Sequence, residues 1–319
     1  MPSSTSPARS APRRLPKAGS DPAAAVVMLL EAHGPRVRAA ALRLCRNRAD
    51  ADDAVQDTFL QAFAKWHTFK GEADPGTWLY AIAVRTCTAR WRRDARGGER
   101  GGKGGSSRRM PALSQLMPWQ ETTVMQAAAA PVDEVPEPER HEAVARVQAE
   151  IARLPEHLRV VTILKEVLEL SVQDTARTLG LAENTVKTRL HRARLALRKA
   201  MTAKAAAVEA PTPIFEKQVC LDLLKAKMDA MDRGGVHAGF AVPQAELCAR
   251  CRAVFRELDM VQDACSQLGA GDLPAKVRQA VLAGLRQAEA EAGRLGRPRR
   301  GRPPRRAGGG VAKRTGGRG

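Results

Sequence analysis

The stretch from Ser171 to Leu197 restricts the possible folds of this chain more than any other. Ser171 with Asp174 three positions later is a capping signal that opens a short helix, SVQDTARTL. Gly180 sits where a left-handed C-terminal residue is wanted. A brief turn, Leu181-Ala182-Glu183, leads to Asn184, a residue type suited to capping the next helix. Two helices joined by so tight a turn form a helix-turn-helix. In the second helix Val186, Leu190, Ala193 and Leu197 recur at i, i+4, i+7 and i+11, so they share one face and pack inward. Thr188, His191 and Arg192 then point the opposite way, with Lys187 and Arg194 flanking that face on one side and Arg189 on the other. An apolar inner face, a polar outer face and cationic flanks suit the major groove of DNA, with outer side chains at base edges and cations near phosphates. The plain alternative is a solvated basic helix, which accounts for neither the tight turn nor the clustered cations.

Charge agrees with a polyanionic partner. The 319 residues carry a net charge of +19, which favours nucleic acid or an acidic membrane surface. Part of that excess lies in a tail, because after Gly293 there are ten Lys and Arg and no acidic residue. Six cysteines are too sparse for a disulfide scaffold and point to a reduced, cytoplasmic chain. Near the start, Arg13, Arg14 and Lys17 precede an apolar run from Ala23 to Leu30, yet no small-residue cleavage pattern follows, and the run reads as the buried face of a first helix. No apolar stretch approaches the roughly 20 residues a spanning helix needs, so no membrane insertion is expected.

Gly, Pro and Ser punctuate a pattern that is otherwise helical throughout, and the expected fold class is all-α. Residues 1–21 read as disordered, 22–96 as a first helical domain, 97–138 as a flexible linker and 139–208 as the helix-turn-helix domain. A small helical, Cys-containing module is expected at 214–292 and a basic disordered tail at 293–319. No internal repeat and no convincing β pattern is present. In the second domain Pro155 suits a first helical turn, and Leu158, Val161, Leu164 and Leu168 form an apolar stripe.

In the first domain a helix opens near Asp50 with an acidic first turn that complements the macrodipole. Val55, Phe59, Ala62, Phe63 and Trp66 form its core stripe, leaving Asp53, Gln56 and Asp57 outside. A Gly- and Pro-containing loop, His67 to Gly76, leads into a helix with Leu79, Ile82 and Ala83 inward and a basic end, Arg90-Trp91-Arg92-Arg93. Cations interleaved with an aromatic suit single-stranded DNA. Trp78 reads as core rather than as a stacking platform.

Two blocks of this sequence resemble the extracytoplasmic-function (ECF) sigma factors of bacterial RNA polymerase. The string from Leu154 to Lys199, ending TVKTRLHRARLALRK, is similar to their minus-thirty-five-reading domain. That resemblance implies DNA contacts at Lys187, Thr188, His191 and Arg192, with Arg189 and Arg194 as flanking cations. Leu42 to Phe63 resembles the sigma segment that docks on the polymerase clamp helices, which implies polymerase contacts at Asp53, Gln56 and Asp57. The helix that follows resembles the one that opens the minus-ten element, implying DNA contacts at Arg85, Arg90, Arg92 and Arg93. The family commonly has Asn and Asp where this chain has Arg85 and Ala89. Expected partners are core RNA polymerase, promoter DNA and an anti-sigma factor.

The C-terminal module lies outside the usual sigma core. Cys248-Ala-Arg-Cys251 has the spacing for two thiolates to meet one metal ion, and Cys220 and His237 could complete a tetrahedral zinc site. The flanks faintly resemble a zinc-binding anti-sigma module, but Gln244 stands where that family has its His. A reduced thiol pair or a redox switch is the open alternative, and regulation of the sigma core in cis by metal or redox state is the expectation. Core activity needs no cofactor. An enzyme is not expected, since the chain has no Gly-rich phosphate loop and no nucleophile–base pairing. A conventional helix-turn-helix regulator is the rival reading, and it leaves the Asp-rich helix and the WLYAIA helix without a role.

Overall fold

The computed structural model describes residues 15–45, 47–97, 110–126, 136–203, 205–234, 242–243 and 246–295. In the first domain, α1 (Pro22–Leu44) starts from Asp21, whose carboxylate accepts from the Ala24 N–H at 2.8 Å. It buries Ala25, Val26, Leu29 and Leu30, the apolar run near the N-terminus. α2 (Arg48–Lys65) is capped by Asn47, which accepts from the Asp50 N–H at 2.8 Å. Its stripe of Val55, Phe59 and Ala62 is fully buried, and each such Val or Phe contributes roughly 1.5–3 kcal/mol. α3 (Pro75–Gly97) closes the three-helix unit. At its base Trp66 packs edge-on to Trp78 at 5.6 Å and donates its indole N–H to the Ser20 carbonyl at 3.0 Å. Trp78 is thus core-associated.

The second domain comprises α5 (Glu137–Arg153), α6 (Glu156–Thr162), α7 (Val172–Leu179) and α8 (Glu183–Thr202). α6 runs on into a π-helical turn, Ile163–Val167, all of it buried. Ser171 caps α7 by accepting from the Asp174 N–H at 2.9 Å, and Gly180 ends α7 with φ +65°, a conformation that costs a Cβ-bearing residue energy. The N-cap of α8 is Ala182 rather than Asn184, which lies in the first helical turn instead.

Part of the segment read as a slack linker is fixed. A one-turn α4 (Leu113–Leu116) leads to β1 (Thr123–Met125), which pairs antiparallel with β2 (Ala207–Glu209) in the register Val124 to Val208. At three residues, each strand is too short for alternation to reveal it in sequence. What holds β1 in place comes from the C-terminal module, α9 (Lys217–Arg233), α10 (Ala249–Gly269) and α11 (Ala275–Leu295). Glu257 of α10 accepts from the Met125 N–H at 2.7 Å. Arg250 donates to the carbonyls of Pro118 and Trp119, both at 3.0 Å, and of Pro211 at 3.2 Å. One apolar core joins α1, α2 and α3 to α5, α6, α10 and α11, with Val261, Cys265, Val281 and Leu285 as the module's share. A second joins α9 and the start of α10 to Leu116, Met117 and Leu195. Among the described residues no helix is long and apolar enough to cross a membrane.

Candidate DNA and polymerase interfaces

α8 is built to show one face. Val186, Leu190, Ala193 and Leu197 are at most 1% exposed, and Val186 and Leu190 meet Val161, Val172 and Ala176 of the preceding helices. Lys187 and Thr188 are exposed on the other side; Arg189, His191 and Arg192 are half-buried. Thr188 donates its hydroxyl to the Asn184 carbonyl at 2.8 Å, which fixes its rotamer. The Nε of Arg192 is buried without a hydrogen-bond partner. His191 stands beside Arg194 and the α9 carboxylates Asp232 and Asp229. Burial first, then Arg194, pushes its pKa below 6.5 against the pull of those two acids.

Arg194 departs from the expected flank of the DNA-facing side. It is 2% exposed, donating from Nη2 to Glu166 at 2.6 Å and from Nη1 to Asp232 at 2.7 Å. Burial opposes its charge, but Glu166 and Asp232 outweigh that and raise its pKa. One turn further, Arg198 is fully buried between Glu257 at 2.7 Å and Glu121 at 2.5 Å. A helical projection sets angles about one axis and cannot show carboxylates arriving from the π-helical turn after α6, from α9 and α10, and from the segment before β1.

In the first domain Asp53 is exposed, and Gln56 and Asp57 are half-buried on α2. Arg90 of α3, expected as a DNA contact, instead reaches across to them. It donates from Nη2 to Asp57 at 2.7 Å and from Nη1 to Asp53 at 3.4 Å. Burial works against the Arg90 charge, and Asp57 with Asp53 carries its pKa above the ordinary value. Arg85 is exposed. The side chains of Arg92 and Arg93 lie outside the described residues.

The thiols of the C-terminal module come close together. Cys251 and Cys220 lie 3.9 Å apart, sulfur to sulfur, joining α10 to α9 beside a small cavity lined by Trp119, Leu224 and Phe255. Cys248 caps α10, its sulfur accepting from the Cys251 N–H at 3.4 Å. Burial raises the Cys248 pKa, but donation from the Cys251 N–H and its neighbours brings it below the usual thiol value. Burial and its two thiol neighbours push Cys251 well above that value. Among the described residues no three His, Cys, Asp or Glu side chains converge into a group that could hold a metal ion. His237 lies outside the described residues.

Comparison with known proteins agrees with both helical blocks. Residues 29–97 match the family model Sigma-70 region 2, and residues 145–197 match Sigma-70, region 4. The chain is 30% identical over 169 residues to the ECF RNA polymerase sigma factor SigM of Mycobacterium tuberculosis strain H37Rv, covering 53% of this chain and 73% of that one. It is 32% identical over 152 residues to the RNA polymerase sigma factor YlaC of Bacillus subtilis strain 168, covering 48% of this chain and 78% of that one. A solved structure of CnrH in complex with the cytosolic domain of CnrY aligns at a TM-score of 0.39 and 23% identity, covering 58% of this chain and 94% of that one. A Sigma-70 region 2 followed by a region 4 defines a sigma-70-type initiation factor. The chain belongs to the ECF sigma factors of RNA polymerase, and its function is to direct that polymerase to promoters and start transcription.

Proposed function

We propose that the roles divide by domain. Residues 22–96 dock on core polymerase through Asp53, Gln56 and Asp57 and open the minus-ten element with Arg85, Arg92 and Arg93. Residues 139–208 grip the minus-thirty-five duplex through Lys187, Thr188, Arg189, His191 and Arg192. Arg194, and Arg90 while it holds Asp53 and Asp57, serve as internal ties. The chain acts by binding, not catalysis, in the cytoplasm. The observation that carries this reading is the single polar face of α8, opposite the buried Val186, Leu190, Ala193 and Leu197. In vitro transcription with core polymerase, on promoters altered at either element, tests it. Arg192→Ala should lose output only where the upstream element is intact. Equal loss on a promoter lacking that element would refute the assignment.

The 214–292 module acts on the sigma core in cis through thiol state. The sulfurs of Cys220 and Cys251 lie 3.9 Å apart, so a bond between them needs an approach to about 2.05 Å. Hydrogen peroxide would take two electrons and two protons from the pair, leaving one disulfide and two waters. Zinc held by Cys220, His237, Cys248 and Cys251 is a second reading, favoured by the Cys248–Cys251 spacing. Output that responds to peroxide and dithiothreitol but not to a chelator selects the first; output that responds to the chelator alone selects the second. A separate anti-sigma factor would compete for the same faces.

A further inference from the structure

α11 lies wholly beyond both matched sigma regions, the second of which ends at residue 197. Yet it is seated on the first domain. Its inward residues Val277, Val281 and Leu285 are 6%, 0% and 2% exposed and belong to the core shared with α1 and α2. The two helices come close at Gly284, where an added Cβ would stand 3.1 Å from Leu60 Cδ2 and 3.5 Å from Gln56 Nε2. A single methyl there would press Leu60 back by a few tenths of an ångström, and a bulky side chain would have to displace it. At one end Arg278 pairs with Glu31 of α1 at 3.1 Å, and Leu273, just before α11, rests on Gly34 of α1.

On α2, residues Gln56, Leu60, Asp53 and Asp57 fall within an arc of about 100°. α11 covers the Gln56 and Leu60 side of that arc, and Arg90 of α3 holds the Asp53 and Asp57 side. A protein that docks on the whole arc, with cations for the two aspartates and apolar surface for Leu60, meets an occupied face.

We propose that α11 is an intramolecular competitor for the polymerase-docking face of α2, which core polymerase must displace before this sigma factor can engage. The inference rests on the reading that Asp53, Gln56 and Asp57 contact polymerase. The surface ion pair Arg278–Glu31 is half-exposed at both ends and holds weakly, so release is compatible with an otherwise intact fold. The three aliphatic side chains and the glycine contact supply the grip.

Three measurements on the full chain test this. Gly284→Trp should drive α11 off Leu60 and tighten the apparent Kd for core polymerase at least tenfold. Deletion of residues 271–319 should do the same, and the glycine variant carries the comparison if the shortened chain does not fold. Hydrogen exchange on the unaltered chain gives a readout free of substitutions: saturating core polymerase should strip protection from α11 amides while α1 amides keep theirs. Unchanged α11 protection together with an unchanged Kd for Gly284→Trp overturns the proposal. The docking reading fails separately, and visibly, if Asp53→Lys with Asp57→Lys leaves polymerase affinity unaltered in the Gly284→Trp background.

Discussion

The two halves of α8 carry nearly the same chemistry to opposite ends. In the first half, Lys187 is exposed and Arg189 and Arg192 are half-buried. In the second, Arg194 and Arg198 are sealed inside the protein against Glu166, Asp232, Glu257 and Glu121. The change takes place within a single turn. An arginine on a sigma recognition helix is therefore not a DNA contact by residue type; its role depends on whether another element brings a carboxylate to it. Here the π-helical turn, α9, α10 and the segment before β1 bring them, and the far half of α8 becomes the joint between the helix-turn-helix domain and the C-terminal module.

The strongest way to break this comparison is to remove a buried charge. Arg198→Met should cost about 3–5 kcal/mol of stability, because Glu257 is left as an uncompensated buried carboxylate. Urea unfolding measures it. Arg198→Met with Glu257→Leu together should cost less than the sum of the two single changes, since the stranded charge is gone. A cost for Arg198→Met below about 1 kcal/mol would mean that the inner half is not a structural joint.

The next largest effect belongs to the outer half. Arg192→Ala should weaken binding to the upstream promoter element by about 1–3 kcal/mol if its guanidinium reads a base. Lys187→Ala should instead weaken binding across sequences and reduce the salt slope by about one. Fluorescence anisotropy over a salt series separates the two. Arg194→Ala sharpens the contrast: stability falls while the salt slope stays as it was. If Arg194→Ala lowers the slope as Lys187→Ala does, the division of the helix is wrong.

This division marks where sequence reasoning succeeded and where it stopped. The capped α7, the left-handed Gly180 and the inward stripe of α8 follow from local rules, because each depends on residues within a turn or two. The same holds for the α2 stripe of Val55, Phe59 and Ala62. Helical projection puts Arg194 on the DNA-facing flank, and the basic run with the family resemblance puts Arg90 on one too, because neither argument has knowledge of distant partners: Asp232 is 38 residues from Arg194, and Asp57 is 33 from Arg90. The β1–β2 pair escaped for a related reason, since three residues of strand carry no pattern and their register depends on Glu257 and Arg250 of α10. α11 falls inside the helical module expected at 214–292, but nothing local says that Gly284 meets Leu60.

The smallest effect lies at the boundary between the halves. His191 sits half-buried between the outer cations and the Arg194 joint, with its pKa held below 6.5 by burial and by Arg194, against Asp232 and Asp229. In the unfolded chain the imidazole takes up its proton at the ordinary value, whereas in the folded chain it resists until a lower pH. The unfolded state therefore binds more protons first, and stability must fall as pH drops below 6.5 and level off once the folded pKa is passed. His33 and His157 are shifted in the same direction, each mainly by burial, and add to the slope. His191→Gln should flatten the loss between about pH 7.5 and about pH 5.5 without abolishing it, as measured by urea midpoints across that range. A slope unaffected by the substitution would put His191 with the solvated outer half of α8, and the boundary would then lie between His191 and Arg194.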